Sequence, residues 1–295
     1  MEQYPDSKEV IKISYKQLYR IEKKKIENFE KENQYLLVKI KILTSNLNTG
    51  EKDEILLLIK LFYLNQTNQY DKLIDIFGEE ASQGISILNI DTNNKILDIH
   101  KISKTNGKFK ADYMIQMEQT EKIYCISVKS KNGSKPAILN HTPRSAKIFQ
   151  EGGILCDTID SLDIILIEYI KKRNAKIIGE DTHINNLESV KDPLIKNNFL
   201  DVLTYFAFDG SGKGISKCRA NAMITYYNET ITFIKCETIE EKKEYIKTIY
   251  DSIILSLRDK GMPKVLTDKC KPWVYNDIKS DGLIKYKGCL HIRIK

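Results

Sequence analysis

Two alternating runs joined by a short polar break constrain this chain more than any other stretch. From Phe109 to Met117, Asp112, Met114 and Gln116 fall on one side of an extended backbone, with Tyr113, Ile115 and Met117 on the other. Glu118-Gln-Thr-Glu-Lys122 is short enough for a hairpin loop. On the return, Tyr124, Ile126 and Val128 alternate with Cys125, Ser127 and Lys129. The pattern predicts paired strands with one apolar face, an acid at the head of the first and a lysine at the end of the second. A carboxylate and an amine brought to one sheet edge suit metal-assisted phosphodiester cleavage. Asp112 would hold a hard divalent cation, and Lys129 would orient the attacking water and offset transition-state charge. A surface hairpin with solvated charges fits the same residues.

Around this hairpin the chain reads as α/β. Residues 14–35 carry Tyr15, Leu18, Tyr19, Ile21, Ile26 and Phe29 among many Lys and Glu, which predicts an amphipathic helix. Its basic run, Arg20 to Lys25, reads either as a solvated face or as a DNA contact. A second helix begins after Asn48 or Thr49, with Glu51 placed for a capping box, and is apolar nearly all round from Ile55 to Leu64. Asp71 to Glu80 is a further helix or a loop turning at Gly78. Short strands are expected at Ile85–Ile90, Ile96–His100 and Thr230–Cys236, with an alternating strand closing the chain at Leu290–Lys295. Ile159–Lys172 reads as a helix, residues 182–198 as polar and irregular. Thr238 and Glu241 form a capping box opening a long helix whose face carries Ile246, Ile249, Ile253 and Leu257. The lone Trp273 reads as a packing anchor.

The acid and lysine, Asp112 and then Ser127-Val128-Lys129, resemble the motif of the PD-(D/E)xK nucleases, with a serine where that motif has its second acid. Further on, Val128-Lys129-Ser130, Ile138-Leu139-Asn140 and Phe149 are similar to elements of the HpaII-type restriction endonucleases. The Gly50-Glu51-x-x-Glu54 helix start, followed by Leu58-Ile59-Lys60-Leu61, is similar to that family's N-terminal helix. The specific likeness is confined to residues 50–62 and 110–149. His141-Thr-Pro-Arg144 departs from the family pattern, so no base specificity is carried across. The resemblance implies a central mixed sheet flanked by helices, a restriction-endonuclease-like (PD-(D/E)xK) core over residues 46–295, with an N-terminal helical segment at 1–45. It implies an Mg²⁺-dependent, sequence-specific type II endonuclease acting on double-stranded DNA. A homodimer would match a palindromic site.

On that reading Asp112 and Glu54 bind metal, joined by the Val128 carbonyl because Ser127 is a poor ligand. Glu54 is equally readable as an ordinary acid near a helix start. The polar stretch 131–147 would contact DNA through Lys131, Asn140, Arg144 and Lys147, arginine and asparagine being able to pair with base edges or to hold a phosphate. Asp209-Gly-Ser-Gly-Lys-Gly214 does not satisfy the phosphate-loop pattern GxxxxGK[ST], so nucleotide binding is not expected. Lys213, Lys217 and Arg219 there are candidates for DNA-backbone contact. Two other classes stay open: a structure-selective repair or recombination nuclease on the same fold, and a non-catalytic nucleic-acid-binding protein.

Composition narrows the field. A net charge of +7 over 295 residues favours a polyanionic partner. No run approaches the roughly 18 apolar residues of a membrane span, and Met1–Asp6 lacks a signal-peptide core, which leads to the expectation of a cytoplasmic protein. Six scattered cysteines without a CxxC pair, and four histidines in no zinc-binding array, argue against zinc chemistry.

Overall fold

The computed structural model describes residues 14–105, 107–140, 142–179, 181–258, 267–278 and 284–295. The chain opens with helices α1 (Tyr15–Leu43), α2 (Thr49–Gln66) and α3 (Tyr70–Phe77). Each of the first two starts in a capping box. Ser14 and Gln17 close that of α1, and Asn48 and Glu51 that of α2, so two orphan amides are satisfied at each end. Gly78, at φ 82°, ends α3 in a conformation that a side chain would disfavour.

Strands β1 (Ile85–Leu88), β2 (Tyr113–Met117) and β3 (Ile123–Ser130) then form an antiparallel meander. β4 (Ala137–Asn140), α4 (Ile159–Asn174), β5 (Thr182–His183) and α5 (Pro193–Thr204) follow. A small hairpin, β6 (Gly210–Ser211) and β7 (Gly214–Ile215), leads into β8 (Ala222–Tyr227) and β9 (Thr230–Lys235). The remainder is α6 (Ile239–Ile249), β10 (Ile253–Arg258), β11 (Val274–Ile278) and β12 (Ile284–Ile294).

The main sheet has the order β1-β2-β3-β8-β9 and is mixed, because β8 lies parallel to β3 while the other neighbours are antiparallel. Its two faces bury different sets. Tyr113, Ile115, Met117, Tyr124, Ile126, Val128, Ala222 and Ile224 pack with the apolar run of α2 and with Leu73 and Phe77 of α3. Met223, pointing the opposite way on β8, joins a second core with α4, α5 and α6. The protein is thus an α/β fold with a mixed sheet flanked by helices. A second, antiparallel sheet has the order β11-β12-β10-β5, with β4 also paired to β12. Among the described residues no helix is long and apolar enough to cross a membrane.

Four expectations are corrected. Residues 96–100 form no strand: one bridge joins Leu88 to Lys95, and Asp98 accepts the His100 amide at 2.9 Å to start a 3₁₀ turn. The region 182–198 is not wholly irregular. Asp192 accepts the amides of Leu194 and Ile195 and, with Pro193 at the first helical position, starts α5. The helix opened by Thr238 stops at Ile249; Ile253 and Leu257 belong to β10, which pairs with β12. Finally, β2 begins at Tyr113 rather than Phe109, because the amides of Lys110 and Ala111 turn to the Cys218 carbonyl at 3.1 and 3.2 Å.

Candidate active site

Asp112 stands one residue before β2 and is held by β3 from two sides. Its amide donates to the Ile126 carbonyl at 2.7 Å, and its Oδ2 accepts the Val128 amide at 2.6 Å. One carboxylate oxygen is therefore committed to positioning. On the same side of β3 as Lys129, Ser127 is only 1% exposed, and its Oγ accepts from Lys129 Nζ at 3.2 Å. The serine that replaces the expected acid thus touches the lysine.

Glu54 comes from the second turn of α2 into the same space. Burial and the neighbouring Asp112 carboxylate push its pKa up to about 8, while Lys129 and Lys104 pull it down. Lys104 is itself paired with Glu51, the capping acid of α2. Two carboxylates and a lysine, from three elements, therefore share one electrostatic environment. Tyr113 adds a fully buried hydroxyl with no hydrogen-bond partner among the described residues; burial, Asp112 and Glu54 all oppose its ionisation. Lys110 lies in the same field. Burial and the charge of Lys129 push its pKa down to about 7, against the pull of Asp112 and Asp209.

These residues fit a small hard cation. Mg²⁺ keeps several waters and needs only one or two protein carboxylates. Asp112 and Glu54 supply two, and burial together with the Asp112 charge lets Glu54 retain a proton near neutrality. Among the described residues no group of three or more His, Cys, Asp or Glu side chains converges, so the remaining ligands would be backbone and water oxygens.

Beside this cluster lies a network that sequence reasoning missed. Asp53, buried in α2, accepts from Ser130 Oγ and, at 3.1 Å, from Asn132 Nδ2. Asn132 Oδ1 in turn accepts the Asn228 amide at 2.8 Å, and Gly133 packs so closely on α2 that an added Cβ would come within 2.9 Å of Thr49 Cβ. The end of β3 is thereby fastened to the start of α2, which fixes Lys129 relative to Glu54. Asp53 and Glu54 are adjacent acids in the sequence, and the rotation of about 100° between them on the helix separates a structural role from a place in the candidate site.

The candidate DNA contacts divide. Lys131 and Asn140 are exposed, Asn140 at the end of β4 in register with His291. Lys147 and Lys213 line one cleft of about 490 Å³. Lys213 and Lys110 line a second of about 350 Å³, and Lys108, Lys217 and Arg219 a third of about 650 Å³. Ile215 of β7 borders all three, so the β6–β7 hairpin is a spur between basic hollows.

Arg144, expected to reach a base edge or a phosphate, has two partners within the protein. Its guanidinium pairs with Asp163 of α4 at 2.6 Å and donates to the Lys271 carbonyl at 2.7 Å. Asp163 also accepts Trp273 Nε1 at 2.7 Å. Burial pushes Asp163 above the ordinary carboxylate range, opposed by Trp273 and Arg144. Arg144→Ala should therefore act on stability, stranding a buried acid at a cost of about 2 kcal/mol. The urea midpoint should fall with an unchanged slope.

No family model matches this chain, and neither does any curated protein or solved structure at significance.

Proposed function

We propose that this chain is a Mg²⁺-dependent endonuclease of double-stranded DNA, built on a PD-(D/E)xK core and acting in restriction. The observation that carries the reading is the meeting of Asp112, Glu54 and Lys129 where β2, β3 and α2 come together. Asp112 and Glu54 would hold the cation with the Val128 carbonyl. Bound Mg²⁺ would supply Lewis-acid polarisation of the scissile phosphate and a more acidic attacking water. Lys129, steadied by Ser127, would place that water and offset the charge gathering on the phosphate oxygens. Lys147, Lys213, Lys217 and Arg219 would receive the flanking backbone, and the net charge of +7 agrees with such a partner.

The direct test is incubation of the purified protein with intact plasmid, with and without Mg²⁺, followed by sequencing of fragment ends. Discrete fragments with a shared end sequence support the reading. Cutting confined to branched or mismatched substrates moves the protein to repair or recombination, and binding without cleavage removes the enzyme. Affinity for duplex DNA should fall steeply with salt. Lys213→Ala and Lys217→Ala should each lower the slope of log affinity against log salt by about one.

A further inference from the structure

Helix α1 carries two faces, and among the described residues only one has a partner. Tyr35, Val38 and Ile42 pack toward α2, where Tyr35 stacks on Tyr63 with ring centroids 4.7 Å apart. Lys31, one turn earlier on that face, donates to the Gln66 carbonyl at 2.8 Å. At about 100° per residue, the opposite face runs Tyr15, Tyr19, Glu22, Ile26, Phe29, Asn33, Leu36, Ile40 and Leu43. Every member of that stripe is exposed, Tyr15 at 93%, Phe29 at 64% and Ile26 at 58%. The steps alternate four and three residues over four heptads, which is the spacing of a coiled-coil seam rather than of a solvated surface. Residues 15–30 are exposed all round, and a lone helical extension of that length is marginal in water.

We propose that this seam binds the same seam of a second copy of the chain, with the two α1 helices antiparallel. The charges decide both the occupant and the direction. In the antiparallel alignment Ile26 meets Phe29 of the second copy, Tyr19 meets Leu36, and Ile40 meets Tyr15. The two polar seam residues then face each other, Asn33 against Glu22. On the flanks Lys25 faces Glu32 of the second copy and Lys23 faces Glu30, each pairing occurring twice by symmetry. A parallel pair would set Glu22 against Glu22 inside the seam. In the single chain Lys25 bonds to Glu22 at 2.8 Å, but both are more than half exposed, so that pair is weak and exchangeable. The association depends on α1 alone and stands apart from the nuclease reading.

Light scattering after size exclusion tests it. The wild type should run at twice the chain mass of 34.2 kDa. Phe29→Asp, at an exposed position that leaves the fold intact by circular dichroism, should run at the single mass. Lys25→Glu and Glu32→Lys should each weaken self-association about tenfold, since each sets two like-charge contacts across the seam. Mixing the two variants in equal amounts should restore wild-type affinity, because the heterodimer recovers both attractive contacts. A monomeric wild type, a dimer indifferent to Phe29→Asp, or a mixture no tighter than its components would each overturn the proposal.

Discussion

Asp112→Asn and Lys129→Ala should each lower the DNA cleavage rate by at least about 100-fold while leaving duplex affinity within a factor of a few. The expectation follows from where the two groups stand. Asp112 offers one oxygen to the Val128 amide, the other is the one the proposed function assigns to the cation, and the basic clefts that would dock the backbone are lined by other lysines. Asparagine preserves shape and the accepting oxygen, so β2 and β3 stay in register and only charge is removed. Ser127→Ala is the control, removing a hydroxyl that steadies Lys129 at 3.2 Å but supplying no charge, and it should retain most of the activity. Single-turnover cleavage and filter binding on the same preparations separate the two effects. Wild-type cleavage in either charge variant would sink the assignment.

Glu54→Gln should abolish cleavage and, in the metal-free protein at about pH 8, raise the melting temperature by a few degrees. The sign follows from linkage. A glutamate ordinarily titrating near 4.5 is held up to about 8 in the fold, so between those values the unfolded chain binds fewer protons than the folded one. Stability therefore falls as pH rises across that window, and a neutral glutamine removes the fall. The same proton competes with a cation. Apparent Mg²⁺ affinity should weaken about tenfold for each pH unit below about 8 and level off above it. Calorimetric titration of Mg²⁺ across that window checks this. An affinity flat with pH would detach Glu54 from the metal.

How far these residues could be found without coordinates depended on whether their signals were local. The start of α2 was readable because Asn48 and Glu51 make a capping box before an unbroken apolar run, and β3 because its alternation is regular. β10 was misread for a definable reason. Ile249, Ile253 and Leu257 are spaced by four, an interval that satisfies both a helical face and a strand of period two. β8 escaped notice because Ala222 to Tyr227 has few polar residues, being covered on both faces, so no alternation marks it. Lys110 and Tyr113 neighbour Asp112, but the field they share with Lys129 and Glu54 arises only once α2 packs on β2 and Ser216 and Cys218 bond Lys110. Arg144 read as a base or phosphate contact from its place in a polar loop. Its pairing with Asp163 of α4 and its bond to the Lys271 carbonyl, 127 residues along the chain, leave no trace in the local sequence.

The parallel pairing of β8 with β3 also sets an order of events during synthesis. The hairpin that carries Asp112 and Lys129 can close as soon as it emerges, but the other edge of β3 is met by a strand displaced 96 residues along the chain, where the Cys125 amide finds Asn221. Closing so large a loop is entropically costly and slow, and until it happens β3 is an open edge. The cleft-lining residues 210–219 arrive with that late strand. An emerging chain therefore carries the acid and the lysine well before the basic clefts form, and on the proposed function cutting would wait on translation of the second half.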